Sequence, residues 1–384
     1  MAFPPAVATL TSSTLFVVLV FCLYPRLTDG ASCTKPPKTK HVHDAAVQRA
    51  PFGSFNTSGN WSYLVPRHPD DVQVIFVIYR NGAAPSEYHH IGGKADKLTG
   101  ILDTNVTIVC HDLPRKYRQE ADVLIEELVN HNRDSTVIYI RWNVGDCTAK
   151  TSSNDFYYCP GASSSGTDFY QQAAGDSRLV ARVTARFLSS LVFTSDLDYS
   201  LENVHFIGFG IGAHVGAYIA EELSPTGLYL GRLTALSPAR FLFEDTGLSL
   251  LSRDNALFVD VVHTSNCLGL AKPIGHVDFI VNGGTAQPGC MDPMCSHIKA
   301  LSYYSSSITK CRMVAYASTD RDLNSSPVIF GVGGYPNNVT GLYYLKTGSN
   351  YPYCGTISSR CTRSKSVVSF TLTCVVSLFI FVRL

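Results

Sequence analysis

The stretch Gly208-Phe209-Gly210-Ile211-Gly212-Ala213-His214 decides the fold. The residues before it, Val204-His205-Phe206-Ile207, form a short apolar run of the kind that makes a buried strand. The residues after it, Ala213 to Leu223, read as a helix. A strand and a helix joined through spaced glycines outline the sharp turn that, in G-x-S-x-G sequences, exposes a nucleophilic hydroxyl. Here Gly210 stands at the centre of the motif and has no side chain to attack with. No other G-x-S-x-G occurs in the chain, so a relocated serine has no support.

Outward from this turn, strand and helix patterns alternate. Val72 to Tyr79 is an apolar, β-branched run that reads as a strand, and Val106 to Cys110, Thr136 to Ile140, Leu233 to Leu236 and Leu257 to Val262 read as further strands. Lys116 to His131 carries apolar residues at Tyr117, Ala121, Leu124, Ile125 and Leu128, a helical spacing. Leu179, Val180, Val183, Phe187, Leu188 and Leu191 mark a second long helix, and His297 to Ser306 can form another. Continuous apolar strands alternating with helices predict an α/β fold, a mostly parallel sheet covered on both faces. At 384 residues and 45% hydrophobic content, the chain can bury one large core. Its net charge is +1 with scattered lysines and arginines, which argues against a nucleic acid partner.

The flanks point outside the cell. The apolar run Leu15 to Leu23, followed by small and polar residues up to Ser32, has the pattern of a secretory signal over residues 1–31. Residues 32–59 read as an irregular lead-in. Of the twelve cysteines, Cys22 falls in the signal and Cys374 in an apolar tail, and the remaining ten suit disulfides in an oxidising compartment. Cys290 with Cys295, Cys147 with Cys159 and Cys354 with Cys361 are local candidates. Cys33, Cys110, Cys267 and Cys311 stay unassigned, and Cys110 also reads as a buried free thiol. Sequons for N-glycosylation occur at Asn56, Asn60, Asn105, Asn324 and Asn338. Residues 356–384 are a polar spacer and an apolar tail that fits a GPI signal or a short transmembrane anchor at a membrane surface.

Further motifs follow in fixed order: Ala235-Leu236-Ser237-Pro238-Ala239, Val262-His263-Thr264, Pro273 to Phe279, Asn282-Gly283-Gly284, Gln287 to Cys290 and Cys295-Ser296-His297. Val109-Cys110-His111-Asp112-Leu113 precedes them and Gly341 to Thr347 follows. This series resembles the pancreatic-type lipase family, in the branch of A1-type phospholipases and insect yolk proteins. The resemblance implies an α/β-hydrolase domain over residues 60–355. It places the family's serine, acid and histidine at Gly210, Ser237 and His297, of which only His297 keeps its type. It makes the backbone N–H groups of Leu113 and Ile211 the oxyanion donors, and puts Asp112 where the family has glycine. Between Cys290 and Cys295, where the family carries its lid, only four residues remain.

A triad without its nucleophile cannot form an acyl-enzyme, because the serine makes the covalent bond and the histidine only moves its proton. The expectation is therefore a secreted or surface-anchored lipase homologue without hydrolytic activity, binding a lipid, another hydrophobic ligand or a protein partner. No cofactor is expected, and the histidines lack metal-ligand spacing. The alternatives are an active triacylglycerol lipase or A1-type phospholipase, and a yolk-protein-like storage glycoprotein.

Overall fold

The computed structural model describes residues 38, 40, 45–80, 83–89, 100–112, 117–132, 134–144, 169–193, 200–317, 327–333 and 339–355. The expected leader, the tail, the loop 145–168, Leu113, Asn324, Asn338 and Cys147, Cys159 and Cys361 lie outside them.

The central sheet has nine strands. In chain order these are β1 (Ile75–Tyr79), β2 (Ser86–His89), β3 (Val106–His111), β4 (Thr136–Arg141), β5 (Val204–Phe209), β6 (Arg232–Leu236), β7 (Phe258–His263), β8 (Val277–Val281) and β9 (Gly341–Leu345). Across the sheet they run β9-β8-β7-β6-β5-β3-β4-β1-β2. All pairs from β9 to β4 are parallel, and β1 is antiparallel to both its neighbours. Four long helices cover the two faces: α1 (Arg118–His131), α2 (Phe169–Phe193), α3 (Ile211–Leu223) and α4 (Pro293–Thr309). Helices α2 and α3 pack together on one face, and α1 packs with α4 on the other. This is the α/β-hydrolase fold. Its inner strands are buried nearly throughout, as expected of mostly apolar strands covered on both faces, and the Asp260 carboxylate among them is paired with Arg232 at 2.8 Å.

Three differences from the sequence reading have clear causes. The lead-in is part of the core: Ala46–Gln48 and Ser54–Asn56 pair as a hairpin, and Phe52 and Phe55 are almost fully buried. Three-residue strands are too short to show a period. The hairpin is held by arginines on successive turns of α2. Arg182 lies 3.9 Å over the Phe55 ring, Arg186 5.2 Å over Phe52, and Arg178 4.4 Å over Trp61. Second, β1 starts at Ile75 and not at Val72, because Pro69–Val72 makes one helical turn that ends in left-handed Gln73. Third, Cys354 pairs with Cys311, not Cys361. That bond crosses 43 residues and joins the end of α4 to the chain after β9, a link that local spacing cannot reveal.

Cys290 is bonded to Cys295, Cys267 is also disulfide-bonded, and Cys110 is a buried free thiol. Among the described residues no helix is long and apolar enough to cross a membrane.

Candidate functional site

The parallel register brings the site residues together. Phe209 of β5 pairs with His111 of β3 on one side and with Leu236 of β6 on the other. The next residue of each strand is therefore Asp112, Gly210 and Ser237, side by side at the carboxyl edge of the sheet. Ligands bind at this edge in parallel α/β sheets.

Gly210 forms the turn from β5 into α3 with φ 59° and ψ −121°. That conformation strains any residue with a Cβ. The flanking glycines allow close approach. A Cβ on Gly208 would come within 2.6 Å of the Ala213 Cα, and one on Gly212 within 2.7 Å of the Cys110 carbonyl carbon. The turn is thus packed against both α3 and β3. The Gly210 carbonyl accepts hydrogen bonds from the Ala239 and Ala213 amides at 3.0 and 3.3 Å.

The space a nucleophile would need is occupied. A Cβ on Gly210 would overlap Asp112 Oδ1 and lie 3.1 Å from Cγ and 3.2 Å from Oδ2. Asp112 is buried, at 6% exposure. Burial pushes its carboxyl up to about 7, against the pull of hydrogen bonds from the backbone N–H groups of Ile211 and of Asp112 itself. Oδ1 has no hydrogen-bond partner among the described residues. The Ile211 N–H, one of the two amides expected to face an oxyanion, thus faces the chain's own carboxylate. The other, that of Leu113, lies outside the described residues.

Ser237 and His297 do meet. Ser237 Oγ lies 2.8 Å from His297 Nδ1, and both residues are buried. Ser237 holds a left-handed φ of 43°, and its amide donates to the Val262 carbonyl at 2.8 Å. Gly269 keeps this position open, since a Cβ there would come 2.7 Å from Ser237 Oγ. The hydroxyl fills the geometric role of the triad acid without its charge. Burial drives His297 down to about 3, so the ring is neutral at physiological pH. Such a weak base gains little by taking a proton from a hydroxyl, and no carboxylate offsets the charge it would acquire.

The helix carrying His297 is firmly set. Asp292 caps α4, its Oδ1 accepting the Cys295 amide at 2.7 Å, and Pro293 opens the first turn. The Cys290–Cys295 bond closes around this cap, with Met291 at 98% exposure on its tip. Thr264 Oγ1 donates to the His297 carbonyl at 3.2 Å, and Phe209 packs on the imidazole at 4.7 Å between ring centres.

His111 and His214 are held by structural contacts. His111 Nε2 lies 3.0 Å from the Tyr139 hydroxyl, and His214 Nε2 lies 2.7 Å from the Ala239 carbonyl while its ring stacks on Phe243. Asp278 is not available as a substitute acid. It holds His263 Nε2 at 2.8 Å and the amides of Ile274 and Gly275 at 3.1 Å. Among the described residues no cluster of three or more His, Cys, Asp or Glu could hold a metal ion. The sequence shows an aspartate at 112 but not which residue it stands beside. Only the β3–β5 register shows that residue 112 stands beside residue 210.

A strand-to-helix elbow at the carboxyl edge of a parallel sheet, with a histidine and a partner hydroxyl behind it, defines a hydrolase-type site. Residues 45–353 match the family described as Lipase, and the chain belongs to that family. It is 31% identical over 233 residues to a protein named phospholipase A1 1 from Polistes dominula, covering 57% of this chain and 64% of that relative. It is 26% identical over 311 residues to a phospholipase A1 from Polybia paulista, covering 76% and 92%. It is 29% identical over 293 residues to pancreatic lipase-related protein 2 from Bos taurus, covering 67% and 58%.

Proposed function

We propose that this chain is a non-hydrolytic lipase homologue that acts outside the cell by binding lipid. The observation that carries this reading is the Asp112 carboxylate standing where a nucleophile's Cβ would be. A missing serine alone would leave an empty but usable site. Here the vacancy is filled by a carboxyl group that takes the space beside the turn and engages one of the oxyanion donors. Family membership and the names of the relatives support lipid as the ligand class. The disulfides at Cys267, Cys290–Cys295 and Cys311–Cys354 support an oxidising compartment.

The test has two arms on purified full-length protein. Turnover of a short-chain ester and of a phospholipid is compared with that of His297→Ala. Equal rates are expected, because a histidine without a nucleophile contributes nothing; a wild type faster than the variant refutes the inert reading. Solvent extraction and mass spectrometry of the same preparation should show co-purified lipid. Lipid-free protein that also fails to bind lipid vesicles would remove lipid as the ligand class and leave a protein partner.

A further inference from the structure

The amino edge of the sheet, opposite the silent site, carries an open cavity of about 660 Å³. It runs below the starts of β3, β5, β6 and β7 and has a mixed lining. Asn132, Glu202 and Asn203 offer polar groups, while Leu257 and Val332 offer apolar surface. Leu257 is 57% exposed at the rim of this cavity. Asn105 and Thr107, the first and third residues of the sequon Asn105-Val106-Thr107, line the same cavity.

The three described sequons differ in what their amides are doing. Asn60 Nδ2 donates to the Thr246 carbonyl at 2.8 Å and ties the lead-in to the segment after β6. Asn56 Oδ1 accepts from both the amide and the hydroxyl of Ser58, in the hairpin. Asn105 is exposed, and its backbone is fixed where the strands begin. Its carbonyl accepts the Thr136 amide at 3.0 Å, and the following amide, of Val106, donates to the Asn203 carbonyl at 3.3 Å. The side chain thus leaves a rigid base directly at the mouth of a cavity.

We infer that Asn105 carries an N-linked glycan whose first sugars lie in this cavity. This rests on the extracellular reading above, since the modification requires passage through the secretory pathway. The donor is an oligosaccharide linked to a lipid pyrophosphate. Asn105 Nδ2 attacks its anomeric carbon, and the N–C bond forms as the C–O bond to pyrophosphate breaks. The lipid pyrophosphate leaves with the electron pair, and the amide proton passes to the transferase base. A sugar ring has hydroxyl edges and C–H faces. The edges suit Asn132, Glu202 and Asn203, and the faces suit Leu257 and Val332. The glycan would cover the exposed leucine and leave the opposite, lipid-family edge untouched.

The test uses the full chain made in secretory cells, with Asn105→Gln and Thr107→Val as two independent ways to remove the sequon. Peptide mapping after enzymatic deglycosylation should show Asn105 converted to Asp in the wild type. Amide exchange in residues 200–206 and 256–259 should be severalfold slower in the wild type than in either variant, with residues 54–60 unchanged. Modified Asn56 beside bare Asn105 overturns the inference and leaves the extracellular reading standing. Modified Asn105 with equal exchange in all three proteins overturns the placement in the cavity. No modified sequon in any secreted or cellular fraction overturns both the inference and the extracellular reading.

Discussion

Gly210→Ser should destabilise the protein strongly, and Asp112→Gly should relieve about half of that cost. Two terms add in the single variant. The backbone at 210, at φ 59° and ψ −121°, strains a residue with a Cβ by about 1–3 kcal/mol. The new Cβ also overlaps Asp112 Oδ1 and crowds Cγ at 3.1 Å, an overpacking cost of about 1–3 kcal/mol. Together they reach roughly 2–6 kcal/mol, a large part of a typical domain's stability. Removing the Asp112 side chain leaves only the first term. A double-mutant cycle by urea unfolding should therefore give a coupling of about 1–3 kcal/mol in favour of the pair. Serine at 210 costing the same with Asp112 present or absent would show that the carboxylate swings away freely and does not fill the nucleophile's place. The same variants carry the chemistry. Hydrolysis should require Gly210→Ser, Asp112→Gly and Ser237→Asp together, since members of a triad act as a unit.

Two further outcomes can be checked by unfolding. Replacing Asp112 with Asn should change how stability depends on pH. The folded state keeps the Asp112 proton up to about 7, whereas an unfolded aspartate releases it near 3.8. Between those values the folded state binds more protons, so this group's contribution falls as pH rises, by on the order of 4 kcal/mol. His111, His214 and His297, held down to about 3, 4 and 3 by burial, act with the opposite sign and destabilise the fold as pH drops below 6.5. The advantage of Asp112→Asn over wild type should therefore grow from pH 4 to pH 7; a difference constant with pH would mean that the carboxyl is not held protonated. Loss of the two mapped disulfides should differ in cost by loop length. Chain entropy gives about 4 kcal/mol for Cys311–Cys354, which closes 43 residues, and about 2 kcal/mol for Cys290–Cys295, which closes five. Serine pairs at each site, compared by unfolding midpoint, check this, and a larger loss at Cys290–Cys295 would mean that the bond also holds the helix bearing His297.

Elements whose signal is local could be read from the sequence, and elements defined by distant partners could not. The elbow shows in Gly208, Gly210 and Gly212, and the long helices show in the spacing of Leu124, Ile125 and Leu128 or of Val183, Phe187 and Leu188. The inner strands Val106–His111 and Thr136–Arg141 show as mostly apolar runs. By contrast β8 contains Asp278, which breaks its apolar run, yet that carboxylate is satisfied by His263 and two amides and sits comfortably inside the sheet. The hairpin at Phe52 and Phe55 depends on arginines more than a hundred residues away.

The state of the site belongs to the second kind. Glycine at 210 by itself reads as a loss, and aspartate at 112 by itself reads as a nuisance to an oxyanion. The β3–β5 register makes them one feature. With Gly210 the strained turn is relaxed and a pocket the size of a small side chain opens. Asp112 occupies that pocket and engages the Ile211 N–H, at the cost of a buried carboxyl. Each residue is tolerated because of the other. Serine at 210 meets the carboxylate, and glycine at 112 beside glycine at 210 leaves a void and an unmet amide at a buried turn. A simple loss of function needs only the missing serine. On the non-hydrolytic reading proposed above, the matched pair at 112 and 210 is what closes the site, and restoring hydrolysis is expected to need changes at both positions rather than at 210 alone.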